Sequence, residues 1–217
     1  MHARLVKQQG RSVLKPELDP LDQLIATVLS QHTSDTNTDR AFAALKAAFP
    51  AWDHVMDAPV NEVADAIRSG GLADQKAPRI KAILSEITSR EGVPDLSRLA
   101  SLPDDEVEAY LVSLPGVGPK TAACVLVFSM GRDAFPIDVH VHRIALRLGW
   151  VTPKTTADKA HRELTPRIPP ELRYELHMAL IRHGREVCVA RMPRCTECVL
   201  FDLCDAGSEL LANGEAR

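Results

Sequence analysis

The chain is predicted to be all-α, and three observations predict it. Apolar residues recur at helical spacing along most of its 217 residues. No run alternates β-branched and polar residues as a half-buried strand would, and turn residues punctuate the sequence at short intervals. The stripes follow in chain order. Leu21, Leu24, Ile25, Val28 and Leu29 form the first; Ala41, Phe42, Leu45 and Phe49 the second; Val63, Ala66 and Ile67 the third; Ile80, Ile83, Leu84 and Ile87 the fourth. Gly70-Gly71, Gly92-Val93-Pro94, Leu102-Pro103-Asp104, Leu114 to Pro119, Thr152-Pro153 and Pro169-Pro170 break the chain between elements. Helices of about 8 to 15 residues joined by such turns make an orthogonal helical assembly.

With 45% hydrophobic and 25% charged residues, the composition excludes disordered, collagen-like and coiled-coil classes. A chain of this length buries a core without disulfide staples. The longest charge-free apolar stretch, Thr121 to Gly131, is too short to cross a bilayer, and Met1-His2-Ala3-Arg4 does not open a signal peptide. A cytoplasmic protein with no membrane partner is expected. The net charge of −3 conceals a segregation: Ala51 to Ala109 carries six Lys/Arg against twelve Asp/Glu, and Arg143 to Arg194 eleven against five. Solvated helix faces of mixed sign are the plainer reading; the other is one basic wall facing a polyanion. The aromatics fall mostly on the apolar stripes, which argues against a base-stacking surface for single strands.

Asp104-Asp105-Glu106 places carboxylates at the positive end of a helix whose buried face is Val107, Tyr110 and Leu111. Leu114 to Gly118 then turns the chain, and Pro119 suits the first position of a helix running from about Lys120 to Met130. Two glycines flanking Val117 leave backbone N–H groups uncovered beside a helix N-terminus, an arrangement that binds anions. A tight helix–helix turn with no ligand is the alternative for an isolated Gly-x-Gly. Lys120 follows at once, where the helix dipole disfavours a cation; an exposed lysine tolerates this through solvation, whereas a nucleophilic one gains from it. Asp138, in Pro136-Ile-Asp-Val-His140, stands where an N-cap is expected.

Five cysteines are present, and four of them, Cys188, Cys195, Cys198 and Cys204, lie within seventeen residues in the spacing C-x6-C-x2-C-x5-C. In a reducing compartment such a cluster points to metal rather than to disulfides. Four thiolates suit a tetrahedral zinc ion or an iron–sulfur cluster, and the donor set alone leaves both open. Cys124, on the apolar stretch Thr121 to Met130, reads as core.

Leu114-Pro-Gly-Val-Gly-Pro-Lys-Thr-Ala122 followed by Ile137-Asp-Val-His-Val-His-Arg143 resembles the helix-hairpin-helix and acidic motif of the endonuclease III family of DNA base-excision glycosylases. The likeness runs from Leu24-Ile-Ala-Thr-Val-Leu-Ser-Gln-His-Thr33 through Gly71-Leu72 to the terminal cysteines. It implies two helical domains with DNA crossing the cleft between them. Residues 20–132 would form a six-helix barrel with its hairpin at about 104–130, and residues 1–19 plus 133–217 a cluster domain. By this resemblance Lys120 is the nucleophile and Asp138 the carboxylate that stabilises charge building on the sugar. The four cysteines become ligands of a structural [4Fe–4S] cluster.

The family fills the gap left by an extruded base with a leucine and a glutamine. Leu72 matches the leucine, and either Gln31 or His32 aligns with the glutamine. Gly116, Val117, Gly118 and Thr121 of the hairpin, with His140, Arg143, Arg185, Arg191 and Arg194, complete the expected DNA-facing set. The resemblance implies a monomeric, nucleoid-associated bifunctional glycosylase and AP lyase acting on oxidised pyrimidines or abasic sites in double-stranded DNA. Two alternatives are a monofunctional mismatch or adenine glycosylase, which generally lacks a lysine at position 120, and a non-catalytic iron–sulfur DNA-binding module, which needs neither Lys120 nor Asp138. No further recognition domain is expected, because the chain ends soon after Cys204.

Overall fold

A computed structural model describes residues 1–217. The elements, in order, are α1 (His2–Gln9), α2 (Pro20–Leu29), α3 (Asp35–Ala48), α4 (Trp52–Asp57), α5 (Val60–Ala66), α6 (Ala73–Glu91), α7 (Asp104–Val112), α8 (Pro119–Phe128), α9 (Val139–Arg147), α10 (Ala157–Leu164), α11 (Pro170–Glu186) and α12 (Gly207–Ala212), with short 3-10 turns and no strand. The chain divides into two compact units, one of Pro16–Arg132 and one of Met1–Lys15 with Asp133–Arg217. Pro16 to Asp19, read from sequence with the N-terminal segment, sit in the first.

In the unit Pro16–Arg132 the centre is α8 against α2. Every residue from Thr121 to Val127 is buried, the mark of a helix apolar all round. It ends at Phe128, two residues before the expected stop at Met130, because Gly131 at φ +65° folds back and donates its N–H to Val127 O at 3.1 Å. Asp19 starts α2 by accepting from the N–H groups of Leu21 and Asp22, both at 2.9 Å, with Pro20 at the first helical position. α2 also packs on α3 and α6, and α7 packs on α8. The longest helix, α6, stops at Gly92, whose φ of +82° makes a left-handed C-cap.

The other unit is built on α9 and α11, with α1 laid along α11. Leu5, Phe135, Ile137, Val141, Ile144 and Leu180 form its core, and the Phe135 ring meets His177 edge-on at 6.3 Å. Gly184 lets α11 come close to α9: a Cβ there would lie 2.8 Å from that of His140.

Candidate functional site

The hairpin is built by its turn. Gly116 takes φ +71°, which favours glycine, and a Cβ on it would meet only the flexible end of the Arg79 side chain, Nε at 2.8 Å. Val117 is buried and donates its N–H to Leu114 O at 3.2 Å; Thr121 is buried and donates to Gly118 O at 3.0 Å. The expected contributions of Val117 and Thr121 to an external anion are therefore corrected, since their donors close the turn and their side chains face the core. The N–H groups of Gly116, Gly118 and Lys120 have no acceptor within the protein, and Pro119 has no N–H to offer. They end at the positive pole of α8, and half-buried Lys120 stands on that first turn.

Asp138 caps α9 with one oxygen. Its Oδ1 accepts from the N–H groups of His140 at 2.9 Å and Val141 at 2.8 Å, so one atom satisfies two otherwise unpaired donors. The helix thereby fixes the carboxylate's direction, and Oδ2 takes no part in the cap. One turn on, Arg143 departs from the sequence expectation. Its Nε donates to Cys188 O at 3.0 Å and its NH2 group to Gly184 O at 2.8 Å, and the same group lies 3.1 Å from His140 Nδ1. Burial pushes its pKa below the usual arginine value. Arg143 thus ties α9 to the cysteine loop through Nε and to α11 through NH2.

Three non-glycine residues in the chain have left-handed backbone: His32 at φ +56°, Leu72 at φ +52° and Met192 at φ +53°. Two of them are expected gap-filling residues. Leu72 is 46% exposed although apolar, and His32 is exposed as well. Gln31, its rival, is half-buried with its Oε1 accepting from Arg79 NH1 at 2.8 Å. Strained, outward-pointing residues of this kind concentrate at functional sites.

The four cysteines Cys188, Cys195, Cys198 and Cys204 line one pocket together with Val187, Phe201 and Leu210. No three His, Cys, Asp or Glu side chains converge as a single metal ion requires. Burial pushes the thiols of Cys195, Cys198 and Cys204 up. Two side chains that the sequence did not reveal shape the loop. Arg147, from the last turn of α9, donates to Cys188 Sγ at 3.2 Å, Val189 O at 2.8 Å and Ala190 O at 3.1 Å. His183 lies with Nε2 3.6 Å from Cys198 Sγ and is held neutral, its pKa pushed down to about 4 by burial. Arg185 and Arg191 are exposed; Arg194 is exposed and 3.9 Å from Glu197. Cys124 is buried in α8.

Residues 25–170 match the model of the HhH-GPD superfamily base excision DNA repair proteins. The chain belongs to the HhH-GPD superfamily. It is 33% identical over 207 residues to endonuclease III of Thermotoga maritima, which covers 93% of this chain and 92% of that one. It is 44% identical over 165 residues, or 76% of its length, to a candidate DNA glycosylase of Arabidopsis thaliana, of whose own length the match spans 56%. Among solved structures, a non-covalent endonuclease III–DNA complex superposes with a TM-score of 0.82 at 27% identity, covering 97% of this chain and 95% of that chain. Within the HhH-GPD superfamily the chain is thus a DNA glycosylase similar to endonuclease III. The hairpin Leu114 to Pro119 lies inside the matched span, as do Lys120 and Asp138.

The cap made by Asp138 is testable by stability. Asp138→Asn keeps an oxygen able to cap and should change the unfolding free energy in urea by no more than a few tenths, about 0.5 kcal/mol, whereas Asp138→Ala should cost about 1 kcal/mol. Equal losses in the two variants would show that Oδ1 does not cap α9.

Proposed function

We propose that this glycosylase is bifunctional, excising oxidised pyrimidines from double-stranded DNA and cutting the strand at the resulting site. The observation that carries the reading is Lys120: a half-buried primary amine on the first turn of α8, beside three N–H groups without protein acceptors. Those N–H groups would receive a backbone phosphate, placing the strand against the lysine. The neutral amine attacks C1′ of an extruded nucleotide, and the bond from C1′ to the base breaks with the electron pair leaving on the base. Positive charge grows on the sugar as that bond lengthens, and the fixed Asp138 carboxylate stabilises it. Ring opening yields a Schiff base between Lys120 Nζ and C1′. Loss of a C2′ proton then expels the 3′ phosphate by β-elimination, and water releases the enzyme. A monofunctional enzyme does not require a nucleophilic amine here.

His32 and Leu72 are the residues assigned to the vacated space. Gln31 is occupied by Arg79, while His32 and Leu72 share exposure and a left-handed backbone. Duplex DNA is approached through the hairpin and through Arg185, Arg191 and Arg194; Arg143 is left out of that set.

The cysteine pocket fits a [4Fe–4S] cluster held by Cys188, Cys195, Cys198 and Cys204. It brings four sulfur donors to the lining of one pocket. Bound there, a cluster supplies a rigid cross-link of the segment from Cys188 to Cys204. The chain's own part is the ordering of that loop by Arg143 and Arg147 and the neutral His183 beside Cys198.

On a duplex carrying one oxidised pyrimidine, wild type should release the base and nick the strand, and Lys120→Gln should do neither while still binding abasic duplex. Asp138→Asn should keep binding and lose at least about 10²-fold in single-turnover rate. Base release without nicking by wild type, or undiminished nicking by Lys120→Gln, would refute the bifunctional reading.

Purified protein should contain about four irons per chain, as four cysteinyl ligands to one cubane imply. Stoichiometric zinc without iron after anaerobic purification would refute the cluster assignment.

A further inference from the structure

α6 carries a cation that neither the hairpin nor the cysteine loop explains. Lys76 is only 2% exposed, and its Nζ donates to Leu29 O at 2.7 Å and to Gly70 O at 2.9 Å. An ammonium taken out of water is costly unless its surroundings replace that solvation, and burial, with Arg79 nearby, holds the Lys76 pKa below the ordinary lysine value. The replacement comes from where the two carbonyls lie. Leu29 is the last residue of α2, and Gly70 is the last residue of the 3-10 turn Arg68–Gly70. Each carbonyl is an unpaired acceptor at the negative end of a helical segment. One ammonium closes both ends.

Just past each closed end stands a strained residue. His32 follows Leu29 by three positions and Leu72 follows Gly70 by two, and both hold positive φ. The two strands of chain are also close: a Cβ on Gly70 would come within 3.0 Å of Ala41 Cβ and 3.9 Å of Leu29 O. Left-handed backbone at a non-glycine residue persists only where neighbouring structure over-determines it. A leucine or methionine at position 76 would fill the same volume and leave two buried carbonyls without donors.

We infer that Lys76 is a positioning residue that clamps the two gap-filling loops to one another, so that His32 and Leu72 enter a duplex as a single wedge of fixed spacing. This rests on the assignment of those two residues to the vacated space. It adds that their spacing is set from beneath by a buried cation touching neither DNA nor the reacting atoms. Arg79, one turn further along α6, complements it by holding the Gln31 side chain aside.

The test has one arm that needs no catalysis. In full-length Lys76→Met, amide hydrogen exchange at residues 30–34 and 70–73 should accelerate at least about tenfold while exchange at the hairpin, residues 113–118, stays as in wild type. The second arm compares single-turnover excision of a base-paired lesion, which requires extrusion, with strand cleavage at a preformed abasic site, which does not. The ratio of the two rates should fall at least about tenfold in Lys76→Met, and no further fall should appear when Lys76→Met is added to Leu72→Ala. Should Lys76→Met fail to fold, Lys76→Gln, whose amide keeps two donors, is measured in its place and should show the same pattern at about threefold. Unchanged exchange in both loops, or a parallel fall of both rates, would overturn the inference. Accelerated exchange in a protein whose wild type cuts neither duplex would instead uphold the clamp and refute the bifunctional glycosylase reading.

Discussion

Four N–H groups at the start of every helix and four carbonyls at its end have no partner inside the helix, and each of the two units of this chain answers that constraint with functional-site candidates. Asp138 answers it at the N-terminus of α9 with one oxygen, and the other takes no part in the cap. Lys76 answers it at two C-termini together. At the N-terminus of α8 the donors of Gly116, Gly118 and Lys120 are left open, and open donors at a positive helix end are what a phosphate needs. Folding and recognition draw on the same few groups.

α9 shows how far this economy goes. Its N-cap is the proposed catalytic carboxylate, its middle carries Arg143 and its last turn carries Arg147, and both guanidinium groups are turned onto the chain around Cys188. Gly184 brings α11 against His140 on the same helix. The cysteine loop and Asp138 are in consequence joined through α9. The basic bias of the C-terminal segment has the same origin in part. Arg143 and Arg147 satisfy carbonyls, and the cations left facing outward are fewer than the composition suggests.

Local patterns made most of this legible before any coordinates. Helix periodicity placed the apolar stripes, Gly116 and Gly118 with Pro119 marked the hairpin, and the spacing of Cys188, Cys195, Cys198 and Cys204 gathered four thiols that the fold does bring to one pocket. Each of these signals spans a few turns of chain. Lys76 and Arg147 were invisible because each reaches a distant acceptor, Leu29 O at 47 residues and Ala190 O at 43 residues in sequence. Arg143 was misread for a related reason: a count of charges cannot distinguish a guanidinium in solvent from one spent on backbone. The choice between Gln31 and His32 turned on a backbone angle and on Arg79, neither of which residue identity encodes.

The central claim is that the amine beside the hairpin is the nucleophile, and the covalent adduct itself tests it most directly. Borohydride reduction of wild-type protein reacting with abasic duplex, followed by proteolysis and mass spectrometry, should locate the sugar remnant on Lys120 alone. A remnant on another lysine or on the amino terminus of Met1 would contradict the account.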